Sequence, residues 1–241
     1  MQFCSIVPTK YNELMYDSSV VMLLAHLSKN NPAYAINAIR HDGSCYKIMD
    51  NSIVELGKSF SMEELIAQAQ CCLVDEIILP DVYKNGGETI QKIKESIEWL
   101  RENNYLGHFK LMGVCHGSDI NDFIRTFKIL NSMPEINTIG IPRIVCEWAI
   151  SRGYIADIFM QTDKEIHLLG CYDSLKELST FKEEYLKRIR SIDTSLPALL
   201  SVETDNAYES RKGKVIDLID GEINYDNYVK ILTTLREDFD I

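Results

Sequence analysis

The chain has 241 residues, 46% of them apolar, and its 36 acidic against 25 basic side chains give a formal net charge of −11. These figures suit a single α/β domain spanning residues 1–241 and exclude a surface that is basic throughout, so any nucleic-acid contact has to use a local patch. No apolar run approaches the length of a membrane span, and Met1 to Pro8 holds no basic region followed by a long apolar one, so the expectation is a soluble, cytoplasmic protein without a membrane partner.

In chain order, Phe3 to Val7 reads as a first strand, and the apolar Val20 to Leu27 continues into a helix ending near Asn30-Asn31-Pro32. His41-Asp42-Gly43-Ser44 is turn chemistry leading into a strand, Tyr46 to Met49, that delivers Asp50. Ser61 with Glu64 forms a capping box, and Met62, Leu65, Ile66, Ala69 and Leu73 recur at helical spacing behind it. Strand Glu76 to Leu79 follows, then a helix marked by Ile90, Ile93, Ile97 and Leu100, a strand from Phe109 to Val114, and a helix marked by Ile120, Phe123, Phe127 and Leu130. This alternation is the pattern of parallel βα units.

Strand Thr138 to Ile141 precedes a helix from about Val145, and Ile166 to Gly170 reads as a strand followed by a helical segment, Ser174 to Ile189. Ser191-Ile192-Asp193 is the next strand; Ser195 to Ser201 reads as helical, 203–214 as a polar loop and Tyr225 to Phe239 as a closing helix. That makes about seven strands, with Tyr34 to Ile39 or Val215 to Leu218 as candidates for an eighth. The expected fold is a single-domain (β/α)8 barrel of the TIM type.

Five of these strands end in one polar residue, Asp50, Asp81, His116, Arg143 and Asp193. A parallel barrel gathers strand ends at one face, where such folds carry their active sites, so the five are candidates for one pocket. Two carboxylates at different strand ends suit a two-step displacement at a glycosidic bond, one as nucleophile and one as general acid and then base. Asp81 is placed to accept a pair of hydrogen bonds from a heterocycle edge such as guanine's. Tyr83 and Tyr172 follow strand ends and are candidates to stack on a base.

Other residues read more plainly. His167, inside an apolar strand, reads as a core histidine, Trp99 and Trp148 as packing, and His26, His41 and His108 lack a context for chemistry. Seven scattered cysteines without chelating spacing imply reduced thiols, no structural disulfide and no metal. Two basic clusters, Lys187-Arg188-Ile189-Arg190 and Arg211-Lys212-Gly213-Lys214, are candidate nucleic-acid patches, against the plainer reading of a solvated helix end and a surface turn.

Asp193-Thr194-Ser195-Leu196-Pro197 resembles the Asp-Cys-Val-Leu-Pro of the queuine and archaeosine tRNA-guanine transglycosylases, and Met49-Asp50-Asn51-Ser52 stands where they have Thr-Asp-Ser-Gly-Gly. Glu76 to Asp81 looks like their base-recognition strand, and Gly113-Val114-Cys115-His116-Gly117 is similar to Gly-Ile-Val-Gln-Gly. Ile139-Gly140-Ile141-Pro142 looks like the glycine strand under the base, and Ile166 to Gly170 resembles His-Tyr-Leu-Met-Gly.

The resemblance spans most of the chain and implies Asp193 as nucleophile and Asp50 as second catalytic carboxylate. It implies further that Asp81, His116, Gly117, Gly140 and Ile141 surround the base, where Tyr83 and Arg143 are expected from their positions after strand ends. The family's zinc cluster has no counterpart, and the short chain favours the compact phage branch that inserts 7-deazaguanines into DNA. The implied activity exchanges guanine in DNA for a free base such as 7-cyano-7-deazaguanine, with no cofactor. A tRNA- or free-nucleoside-acting enzyme and a non-catalytic base- or nucleic-acid-binding barrel are the alternatives. Histidine at position 116, where the family has glutamine, leaves the accepted base open.

Overall fold

A computed structural model describes residues 1–171, 176–202 and 222–238. Its centre is a closed, all-parallel barrel of eight strands: β1 (Gln2–Ser5), β2 (Val20–Leu24), β3 (Tyr46–Asp50), β4 (Glu76–Ile78), β5 (Lys110–Val114), β6 (Thr138–Pro142), β7 (Glu165–Leu169) and β8 (Ile189–Thr194). The strands pair in chain order, and β8 closes on β1 with Cys4 beside Asp193.

Alternation sorts the side chains into two sets. Cys4, Val20, Met22, Ile48, Ile78, Met112 and Val114 fill the barrel interior. Their neighbours Phe3, Val21, Leu23, Met49, Ile77, Leu111, Ile166, Leu168 and Ile192 face outward into the larger core shared with the helices. Each such side chain taken fully from water contributes about 1.5–3 kcal/mol. The same parity turns Asp50, His167 and Asp193 inward.

The helices follow their signals where those are local. Ser61 and Glu64 make the reciprocal capping box of helix Met62–Cys71, whose Leu65, Ile66 and Ala69 are buried. Asn85 caps Gly86–Glu102, and Asp119 caps Ile120–Ser132.

Three expectations need correction. The eighth strand is Val20–Leu24; the helix begins only at Ala25. Flanked on both sides by β1 and β3, this strand buries both faces and shows no alternation to betray it. Tyr34 to Ile39 lies in helix Pro32–Arg40, started by the Asn31 cap and a first-turn proline, and Val215 to Leu218 lies outside the described residues, as does the 203–214 loop.

The continuous helix expected over 174–189 is, among described residues, a 3-10 turn at Leu178–Thr180 and one short helix, Glu183–Leu186. Phe181 between them is extended, which lets it and Leu178 both reach the core. The helix from Val145 is likewise broken into short pieces, because Arg152 is drawn fully inside the protein.

One irregularity matters for the site. Ile166 pairs with Ile189 but His167 pairs with Ser191, so Arg190 is an extra residue in β8, a bulge. Arg190 enters the barrel floor, where its Nη1 lies 2.8 Å from both Glu76 Oε2 and Glu165 Oε2. No helix among the described residues is long and apolar enough to cross a membrane.

Candidate active site at the open end of the barrel

A cavity of about 650 Å³ opens at the C-terminal ends of the strands. Asp50, Asp81, Tyr83, His116, Arg143 and Asp193 all line it, so six of the nine residues expected around the site are brought together. Gly117, Gly140 and Ile141 are not among its walls. A Cβ at Gly117 would stand 2.5 Å from the Phe123 nitrogen, so this glycine serves the packing of helix Ile120–Ser132. Gly140 lets Leu169 and Met112 approach to 2.9 and 3.1 Å of where its Cβ would be, and its carbonyl already accepts from the Cys115 N–H. Ile141 faces the outer core.

Asp193 is the next-to-last residue of β8, with its side chain 13% exposed, enough to meet a ligand from the cavity. Its Oδ1 accepts from the Gly170 N–H at 2.8 Å and lies 3.2 Å from His167 Nε2. Gly170 takes a φ of +72°, natural for glycine and unfavourable for other residues. Its carbonyl is pinned by Arg152, whose fork also reaches the carbonyls of Leu169 and Ile141 and both carboxylate oxygens of Glu177. Arg152 therefore fixes the loop that holds the carboxylate.

Asp50, at the end of β3, is partly exposed to the cavity. Burial, the neighbouring Glu55 and the more distant Asp81 and Asp193 hold its carboxyl well above the usual range, against the opposing hydrogen bond from the Ser52 N–H. Ser52 adopts a left-handed backbone, φ +62°, which carries its N–H back to Asp50 at 2.6 Å. Its hydroxyl contacts His26 Nδ1 at 3.0 Å, so His26 has a place in the wall that its sequence context does not announce.

Asp81 is only 2% exposed, and each of its oxygens is already engaged. Oδ1 accepts from Asn51 Nδ2 at 2.9 Å, and Oδ2 lies 2.6 Å from His116 Nε2. A carboxylate only accepts, so Nε2 carries the proton there. His116 thus holds Asp81 with the nitrogen nearest it, while Nδ1 is enclosed without a hydrogen-bond partner among the described residues. Tyr83 is 54% exposed and stands edge-on to the His116 ring at 6.0 Å, a position from which it can cover a planar ligand. Tyr172 lies outside the described residues.

The thiols at the site do not compete as nucleophiles. Burial pushes Cys171 up to about 12 and Cys146 up to about 11, so both stay protonated near neutral pH. All seven cysteines are free, and among the described residues no cluster of three or more histidine, cysteine or acidic side chains is arranged to hold a metal.

The Lys187 to Arg190 cluster sits at the start of β8, the far end from Asp193, and its charges are engaged. Lys187 pairs with Glu183, Arg188 donates to the Thr162 carbonyl, and Arg190 is inside the barrel. It is no patch beside the cavity. Arg211 to Lys214 lies outside the described residues.

Sequence reasoning missed His167, Asn51, Glu55 and Arg152. Only His167 had a usable signal: it lies two residues before Leu169, so strand parity turns both to the same face. The chain matches no protein-family model and no curated protein, so its function has to be read from the site itself.

Proposed function

We propose that the protein is a base-exchange transglycosylase that replaces guanine in DNA with a free 7-deazaguanine. One observation carries this reading: two carboxylates share the cavity in opposite settings. Asp193 is held by two donors, whereas Asp50 is driven by burial and by Glu55 to keep its proton. Pairs divided in this way supply a nucleophile and an acid at one pH.

In the first step the free Asp193 oxygen bonds to C1′ as the bond from C1′ to the base nitrogen breaks. The electron pair goes to the base, and Asp50 delivers the proton. In the second step Asp50 takes the proton from the incoming base, whose nitrogen displaces Asp193 from C1′. Two displacements restore the original configuration. Asp81, its partner His116 and Tyr83 bound the heterocycle, and a target within a duplex has to be extruded first. The choice of DNA rests on resemblance to the compact branch.

A free nucleoside is the second reading, favoured by the acidic group of Asp50, Glu55, Asp81 and Asp193 in the cavity wall and by the remote position of the Lys187 to Arg190 cluster. Labelled guanine offered with DNA, tRNA or nucleoside separates the cases. Label in DNA is the expected result; label in the nucleoside alone selects the second reading, and label in none of them leaves a binding barrel without turnover.

A further inference from the structure

The bulge in β8 sets His167 and Ser191 side by side on the inner face, with Arg190 directly below. Ser191 Oγ lies 2.7 Å from His167 Nδ1 and 3.1 Å from Arg190 Nε. A guanidinium only donates, so the buried hydroxyl accepts from Arg190, and among the described residues Nδ1 is the acceptor within reach of its single proton. Nδ1 is then an acceptor, and a neutral imidazole with an acceptor at Nδ1 carries its proton on Nε2. That nitrogen faces Asp193 Oδ1.

We infer that Arg190, Ser191 and His167 form a hydrogen-bond relay running up the inside of the barrel, which locks His167 as the Nε2–H tautomer and holds Asp193 in a single orientation. The opposite tautomer would aim a lone pair at the carboxylate. The imidazolium would place a second cation one hydroxyl away from Arg190. Charged and titratable groups around the ring are Asp193 above, Arg190 with Glu76 and Glu165 below, and Cys4 on the adjoining β1. Arg190 is anchored by those two glutamates and by Thr138 Oγ1 at 3.0 Å, so the relay starts from a fixed point.

Its consequence for chemistry rests on the base-exchange reading. When the second Asp193 oxygen bonds to C1′, Oδ1 becomes the carbonyl oxygen of the ester and still accepts from Gly170 and His167. When the incoming base breaks that bond, the pair returns to the carboxylate and the same donors receive the charge. His167, Ser191 and Arg190 are positioning residues in this scheme: they occupy one oxygen and leave the other for the sugar.

The first test needs no substrate. In nitrogen-15 spectra of histidine-labelled protein, which has five histidines, the signals lost in His167→Gln should be those of an Nε2–H tautomer. Ser191→Ala should mix the tautomers. An Nδ1–H form or an imidazolium in the parent at neutral pH overturns the relay. In the exchange assay, His167→Leu should lower kcat about 10- to 100-fold, the loss expected for one hydrogen bond to a charged group, with KM for the base unchanged. His167→Gln, which offers an amide N–H from nearly the same place, should recover most of that loss. A fully active His167→Leu also overturns the inference. A parent with the Nε2–H tautomer but no exchange on any substrate supports the relay and counts against base exchange alone.

Discussion

His116 Nε2 and Asp81 Oδ2 stand 2.6 Å apart, with neither side chain more than 4% exposed. The carboxylate is therefore a junction between β3 and β5 as well as a wall of the cavity, since Asn51 holds its other oxygen. Each oxygen keeps a second lone pair, and a ligand edge has to use those.

Asp81→Ala should accordingly weaken folding as well as base selection. It orphans two buried donors, at roughly 1–3 kcal/mol each. A double-mutant cycle of Asp81→Ala with His116→Ala, followed by denaturant unfolding, should give a coupling energy above about 1 kcal/mol. Additive losses would mean that the contact contributes nothing specific.

Asp50 carries the opposite prediction for stability. Its folded carboxyl binds a proton more tightly than the unfolded one, so the native state holds the excess proton between the unfolded value, about 3.9, and the raised folded value. Stability then falls as pH rises through that window, and the stabilising contribution is present below it. Asp50→Asn should remove this slope and leave melting near neutral pH equal to or above that of the parent, while exchange is slowed. A variant that melts lower at neutral pH but equals the parent in acid would show that the ionised form is the stabilising one.

The barrel is legible in the sequence because its signals are local: the capping box at Ser61, and polar residues closing apolar runs at Asp50, Asp81 and Asp193. Val20–Leu24 escapes because a strand buried on both faces looks like the buried part of a helix. The contact of His167 with Asp193 escapes for another reason. It depends on the register between β7 and β8, and that register is set by a bulge at Arg190 whose driving force, Glu76 and Glu165, comes from elsewhere in the chain. Gly117 and Gly140 show the converse, glycines beside the site that packing explains.

Arg152 tests how far the site depends on its scaffold. Arg152→Ala takes the guanidinium from the Ile141, Leu169 and Gly170 carbonyls and breaks the ion pair with Glu177, which keeps only the backbone N–H of residue 152 and the Cys146 thiol. Breaking a buried pair in this way costs about 3–5 kcal/mol, and Arg152→Lys should recover little because an ammonium lacks the planar fork. Unfolding midpoints decide it: a lysine variant as stable as the parent would reduce Arg152 to a simple charge.

Asp193→Asn is the sharpest test of the reaction, because the hydrogen bonds that place the side chain survive it. The amide oxygen still accepts from Gly170 and His167, so stability should change by less than about 1 kcal/mol. The amide nitrogen that replaces the free oxygen is a poor nucleophile, so exchange should stop while the base still binds. The parent, given DNA but no replacement base, should form a covalent adduct that accumulates as the freed guanine is removed. Asp50→Asn should slow both steps without moving the attachment point. Peptide mapping of the trapped adduct is decisive: attachment at Asp50 exchanges the two roles, and full activity of Asp193→Asn removes this aspartate from the chemistry.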